Sequence, residues 1–311
     1  MGGARSRSGR SPVRAMERYK GIIPDWEKFM EAIHTPLPTV IRTNTIKTTP
    51  NALRSRLESK GLKLEALGWN PLLFRVEGEL PIGATLEHWL GLYYVQEATQ
   101  TLPALALGPR PGERILDLCA APGGKTTQIA ALMDNRGTLV ANDMNPKRLR
   151  ALMANIYRLG AICCVVTECR GEHFPGEGIF DRVLVDAPCS AEGTARKYPH
   201  LRGGASLPYI HRMAAIQRGL LYRALELVVP GGIVVYSTCT IAPEENEGVV
   251  SGALRKGLAE LLPWEPPVPH ARGLTRFGRE EYGEEMEKTV RIYPHHFDSD
   301  GGFIAVLRRL G

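Results

Sequence analysis

No stretch of this chain is apolar for long enough to cross a bilayer, which excludes a membrane-spanning helix. Its six cysteines contain no C-x-x-C pair, so the common zinc frameworks are absent and no metal is expected. There is no G-x-G-x-x-G and no Walker A sequence, which removes the dinucleotide fingerprint and the P-loop. Arg5, Arg7, Arg10 and Arg14 open the chain among Gly and Ser, but no apolar segment follows them, so they are not a secretory signal. Residues 1–15 are expected to be a disordered basic leader, with Met16 an alternative start. Without a signal, reduced thiols and a cytoplasmic setting are the default.

What is present is basic. Across 311 residues the net charge is +6, with a sequence pI near 9.0. That balance favours a polyanionic partner, nucleic acid first. The length allows a full α/β core and a smaller second unit.

Residues 16–88 are expected to form a small α+β domain. Trp26 to Ile33 and Asn51 to Lys60 have helical character, while 40–44, 62–67 and 72–76 have strand character. Apolar residues at helical spacing, among them Leu92, Val95 and Leu102, predict a helix from Leu90 through Leu107, and residues 89–311 are expected to be the catalytic domain. From residue 113 strands alternate with helices, the pattern of a doubly wound, mostly parallel α/β sheet. Strands are expected at 114–118, 138–142, 162–167, 181–185 and 232–236, then at Thr289–Tyr293 and Gly302–Leu307. The Pro-, Gly- and charge-rich stretch 263–288 is expected to be a surface excursion.

Ligands of such sheets bind beyond the carboxyl ends of the strands. Cys119-Ala120-Ala121-Pro122-Gly123-Gly124-Lys125 occupies that place after the first strand, and its glycines let backbone approach a ligand closely. Asp143 follows the second strand, where an acid commonly binds ribose hydroxyls. Two cysteines end strand-like runs further on, in Asp186-Ala187-Pro188-Cys189 and in Ser237-Thr238-Cys239. Two thiols and a carboxylate at strand ends, beside a cofactor-type loop, point to attack on an electron-poor ring followed by proton removal.

In order along the chain, Ile41-Arg42-Thr43-Asn44-Thr45, Gln96-Glu97-Ala98, Cys119–Lys125, Asn142-Asp143, Asp186–Ser190, Ser237–Thr240, Glu244–Glu247 and Gly301–Ala305 resemble the Nop2/Sun family of S-adenosylmethionine-dependent RNA cytosine-5 methyltransferases. The resemblance covers roughly residues 38–310. It implies a Rossmann-like class I methyltransferase with a mostly parallel seven-stranded sheet, preceded by an RRM-like module, although the aromatic RNP signature is lacking. It implies that Cys239 attacks C6 of cytosine, that Cys189 aids product release, and that Asp186 and Lys125 serve the same centre. S-adenosylmethionine would be held by Cys119 to Lys125, Asp143, Arg148 and Asp186. Arg42, Asn44, Arg158, Arg196 and Lys197 are candidate contacts to substrate RNA, with Lys147, Arg148 and Arg202 as further backbone contacts.

Two departures stand out. Arg170 occupies the place where the family has an acid that by resemblance contacts the adenine amino group, with Glu168 a nearby substitute. Ala191 stands where glycine is frequent. The expected partner is ribosomal or transfer RNA, and the expected state is a monomer. A DNA cytosine-5 methyltransferase is the same-class rival, disfavoured by the Thr-Cys pair. A non-catalytic RNA-binding ribosome assembly factor is the alternative from another class, and a Rossmann oxidoreductase a distant third.

Overall fold

The computed structural model describes residues 13–311, with side chains from Ala15 onward. Residues 1–12 of the expected leader lie outside the described residues; its last three open the helix α1 (Val13–Met16). After α2 (Trp26–Ala32) come β1 (Val40–Thr43), α3 (Pro50–Glu58), β2 (Lys63–Leu67), β3 (Asn70–Glu77), α4 (Leu86–Trp89) and β4 (Tyr93–Val95). The four strands form an antiparallel sheet in the order β2-β3-β1-β4, a β-α-β-β-α-β arrangement of the ferredoxin-like kind.

The helix expected over Leu90–Leu107 is not formed as such. Tyr93–Val95 pairs with β1 as an edge strand, and helix returns only at α5 (Leu102–Leu107). The free edge of β1 supplies hydrogen bonds that a three-residue segment takes over its helical spacing. This last strand lies beyond residue 88, so the N-terminal sheet extends into the segment expected to begin the second unit.

The larger sheet begins with β5 (Arg114–Asp117), α6 (Gly124–Leu132), β6 (Thr138–Asn142), α7 (Pro146–Leu159), β7 (Cys164–Thr167), β8 (Phe180–Asp186), α8 (Leu207–Leu227), β9 (Val228–Thr238) and α9 (Glu247–Arg255). The strands β7-β6-β5-β8-β9 are all parallel, and the order reverses between β5 and β8. Next come β10 (Ala259–Leu262), β11 (Ala271–Arg272), a small hairpin of β12 (Arg276–Phe277) and β13 (Glu280–Glu281), β14 (Val290–Ile292) and β15 (Gly302–Arg309). β15 runs antiparallel beside β9. Its other edge is shared by β14 near one end and β10 near the other, and β11 extends the β14 side. The seventh position of the expected sheet is thus split, and this sheet has nine strands among the described residues.

Alternate residues of the strands face opposite layers, as the two-residue period of a strand requires. Leu116, Val183, Val185, Val234 and Tyr236 pack with Leu221, Ala224 and Val250 of α8 and α9. Ile115, Leu184, Val235, Leu139 and Ala141 pack with Leu107, Ile129, Leu152 and Ile156 of α5, α6 and α7. Burial on both faces leaves only the strand ends to hold chemistry.

Candidate active site

The predicted Asp143, Asp186, Cys189 and Cys239 lie at or just beyond the carboxyl ends of parallel strands, and Lys125 lies in the first turn of α6. Asp117 and Asp186 are the last residues of β5 and β8, Asp143 follows β6, and Cys239 follows β9. Two adjoining clefts open there, and Cys119 and Asp186 line both.

The first cleft is lined by Tyr94, Gln96, Glu97, Gln100, Lys125, Asp186 and Lys197, with the Ala120–Pro122 turn. The turn starts α6 at Gly123, whose φ of 105° suits glycine. Lys125 Nζ donates to Asp186 Oδ2 at 2.8 Å and also to Gln100 Oε1. Burial works against the Lys125 charge, but the adjacent Asp186 carboxylate outweighs it and holds the ammonium above its usual range. The other Asp186 oxygen, Oδ1, accepts the Ser237 hydroxyl at 2.9 Å. Asp117 lies behind this pair; burial pushes its carboxyl up to about 7 against the opposing hydrogen bond from Thr126.

The second cleft holds both thiols and an apolar slot. Its walls include Leu118, Met144, Ile216 and Leu220, with Asp143, Arg148 and Glu172 as polar points. Asp143 Oδ2 accepts the Ala121 amide at 3.2 Å and pairs with Arg148 at 3.3 Å, while its Oδ1 accepts the Asn145 amide at 2.9 Å. Cys189 Sγ lies 3.3 Å from Cys239 Sγ. The hydrogen bond shared with Cys239, with burial second, pushes the Cys189 thiol well above its ordinary range. Either sulfur can donate to the other across this contact. The two cysteine loops are also joined by the Ser190 and Thr240 hydroxyls at 2.7 Å and by the Gly193 amide to Cys239 O at 3.0 Å. A Cβ on Gly193 would meet Cys239 O at 2.8 Å, so only glycine permits this approach.

Of the three further backbone contacts expected, Arg148 lines the second cleft; of the five substrate-RNA contacts expected, only Lys197 faces the first, where its ammonium also lies 5.4 Å from the Tyr198 ring centroid. The other four are committed to the protein itself. Arg42 donates to Gly124 O and Thr127 Oγ1, each at 3.0 Å. Asn44 Nδ2 donates to Gly91 O and Leu159 O, each at 2.8 Å. Arg158 donates to His88 O at 2.6 Å and Tyr93 O at 3.2 Å. Arg196 donates to Ser299 O at 3.1 Å and pairs with Asp298 at 2.7 Å, with Pro36 O as a further acceptor. A buried guanidinium needs fixed acceptors, and these carbonyls supply them.

At the position where the family has an acid, Arg170 points outward, 3.7 Å from Glu172 Oε1. Glu172, not Glu168, lines the cleft. Composition gave no sign of this, because Glu172 lies two residues past the aligned position. Glu244–Glu247, quoted for resemblance alone, divides its work. Glu244 pairs with Arg18, Glu247 pairs with the buried Arg291, and Asn246 accepts the Thr238 hydroxyl at 2.6 Å. Glu245 reaches the Cys189 loop.

The 3-2-1-4-5 parallel order, the glycine turn and the acidic second strand end define a class I methyltransferase fold. The chain belongs to the 16S rRNA methyltransferase RsmB/F family, whose model matches residues 104–308, and the model for the N-terminal domain of 16S rRNA methyltransferase RsmF matches residues 12–98. It is 41% identical over 291 residues to the 25S rRNA (cytosine-C(5))-methyltransferase nop2 of Schizosaccharomyces pombe, covering 91% of this chain and 48% of that protein. It is 37% identical over 303 residues to the tRNA (cytosine(49)-C(5))-methyltransferase of Pyrococcus abyssi, covering 95% of this chain and 96% of that protein. NSun6 from Pyrococcus horikoshii, solved with SFG, superposes with a TM-score of 0.83 at 26% identity, over 96% of this chain and 98% of that one. The chain thus spans about half the length of the first of these relatives.

Among the described residues, no helix is long and apolar enough to cross a membrane, and no group of three or more His, Cys, Asp or Glu is placed to hold a metal ion.

Proposed function

We propose that this chain methylates C5 of cytosine in ribosomal or transfer RNA through a covalent adduct on Cys239. The observation that carries the reading is the 3.3 Å thiol pair beside the Lys125–Asp186 ion pair. A non-catalytic RNA-binding protein needs neither. The names of the relatives support the same chemistry and both RNA classes.

The second cleft suits S-adenosylmethionine: an apolar slot for a purine, with Asp143 and Glu172 as acceptors and the Cys119–Lys125 turn beside it. When bound there, the cofactor supplies an electrophilic methyl group. The chain's own groups do the rest. Cytosine C5 is a weak nucleophile until a thiolate adds at C6. Cys239 makes that bond, and the Cys189 thiol lies 3.3 Å from the attacking sulfur. Asp186, oriented by Lys125 and Ser237, holds the N3/N4 edge of the base and shares a proton that stabilises the adduct. General acid–base help of this kind is worth roughly 10²–10⁴ in rate. Removal of the C5 proton and elimination then free Cys239, with Cys189 aiding release. A base leaves its stack to enter such a site. The N-terminal unit guides the RNA, Lys197 contacts its backbone at the cleft, and the protein acts as a cytoplasmic monomer with its thiols reduced.

Incubating the Cys189→Ala protein with RNA and labelled S-adenosylmethionine tests the reading. The expected result is a denaturation-resistant protein–RNA band that vanishes when Cys239 is also replaced, and sequencing the trapped RNA names the substrate. No band, together with no labelling of RNA by the wild-type protein, would favour an RNA-binding assembly factor instead.

A further inference from the structure

Two polar residues beneath the thiol pair have no part in the chemistry above. Gln217, midway along α8, and Glu245, in the loop after Cys239, are both fully buried. Gln217 Nε2 donates to Pro188 O at 2.8 Å and to Glu245 Oε2 at 2.8 Å. The same Glu245 oxygen accepts the Ser190 amide at 2.9 Å. The peptide groups on both sides of Cys189 are therefore gripped, the Pro188 carbonyl by Gln217 and the Ser190 amide by Glu245. Glu245 is itself anchored, since its backbone carbonyl accepts the Tyr236 hydroxyl at 2.6 Å.

A grip made only for stability would satisfy its polar atoms. This one does not: Gln217 Oε1 and Glu245 Oε1 are buried without a hydrogen-bond partner among the described residues. Unpartnered buried acceptors are costly, so they call for an explanation beyond packing. The arrangement fixes the one peptide segment whose side chain must stay 3.3 Å from Cys239.

We infer that Gln217 and Glu245 are positioning residues for Cys189, holding its thiol where it assists release of the methylated base. The inference rests on the two-thiol reading given under the proposed function. Burial pushes the Glu245 carboxyl up to about 7. A neutral carboxyl group resembles an amide, so Glu245→Gln keeps an acceptor for Ser190, whereas Glu245→Leu does not.

The test compares Gln217→Met, Glu245→Leu and Glu245→Gln with Cys189→Ala, using RNA and labelled S-adenosylmethionine, with circular dichroism melts to check folding. Misplacing Cys189 slows release after the adduct has formed. Gln217→Met and Glu245→Leu are expected to accumulate adduct as Cys189→Ala does, with kcat down about 10- to 100-fold and KM for RNA nearly unchanged. Glu245→Gln is expected to turn over within about threefold of wild type and to trap no adduct. A folded Gln217→Met protein that loses turnover without trapping adduct, or that turns over normally, overturns the inference. If Glu245→Leu does not fold, Gln217→Met alone decides. If Cys189→Ala itself traps nothing, the two-thiol reading fails, and the grip is judged by iodoacetamide labelling of Cys189. A changed labelling rate in Gln217→Met then supports it, and an unchanged rate overturns it.

Discussion

The Arg42 guanidinium, on a strand of the N-terminal sheet, donates to the Gly124 carbonyl at 3.0 Å in the first turn of the helix that carries Lys125. It also holds Thr127 Oγ1 and lies over the Tyr94 ring, 5.8 Å from its centroid. Burial lowers its pKa to about 9, so it remains charged at neutral pH. The small unit thus braces the glycine turn and the start of its helix. Replacing Arg42 by Met is expected to cost about 1–3 kcal/mol in urea unfolding, as for hydrogen bonds made by a charged donor. It should leave the salt dependence of RNA binding unchanged, since the side chain is not available to phosphate. Lys197→Ala should do the reverse, leaving stability alone and lowering the slope of log K against log salt by about 1. Equal salt slopes in the two variants would refute this division.

Glu172 lines the slot, while Arg170 stands outside it. Glu172→Ala is expected to weaken S-adenosylmethionine binding about tenfold, the worth of one hydrogen bond to a charged acceptor. Arg170→Ala removes only an exposed ion pair 3.7 Å long, and should change affinity by less than about threefold. Calorimetric titration of both variants decides the matter. A large loss in Arg170→Ala with none in Glu172→Ala would mean that the adenine end is read elsewhere.

Ala191 has a φ of 60°, in the left-handed region, immediately after the Cys189-Ser190 dipeptide. A Cβ there costs about 1–2 kcal/mol, part of which glycine returns through the greater freedom of the unfolded chain. Ala191→Gly is therefore expected to raise stability by up to about 1 kcal/mol, seen as a higher Tm at unchanged fold. A lower Tm would show that packing of the methyl group outweighs backbone strain.

The strand ends near Asp186 and Ser237 were legible because the β-branched runs Val183–Val185 and Ile233–Tyr236 stop there, and a parallel sheet places its ligands at those ends. The helix expected from Leu90 was not, because Leu92, Val95 and Leu102 fit the helical period while the open edge of the first strand claims Tyr93–Val95. Charge gave no direction to the arginines. Arg196 is held by Thr35, Pro36, Asp298 and Ser299, partners more than a hundred residues away, so nothing local marked it as inward-facing. Gln217 escaped notice for a similar reason. In a long helix it reads as one polar residue among many, and only the fold brings it to Pro188.

Asp300 gives a pH test of the seam between the final strand and the Gln96–Glu97 segment. Its carboxyl is buried, its Oδ1 has no hydrogen-bond partner among the described residues, and its backbone amide donates to Glu97 Oε1 at 3.2 Å. Burial first, then the Glu97 charge, raises it from an ordinary 3.8 to about 7, against the opposing pull of Arg196 and Lys197. A carboxyl raised on folding favours the fold while it stays protonated. Its stabilising contribution is complete below the unfolded pKa and is lost as pH rises through the folded one, so the window runs from about 4 to about 7. Asn cannot ionise and escapes this loss. The stability of Asp300→Asn relative to wild type should therefore improve by about 1–3 kcal/mol between pH 4 and pH 8, read from urea unfolding at each pH. A difference that stays flat would mean that Asp300 is already ionised in the fold at low pH, with Arg196 and Lys197 outweighing burial.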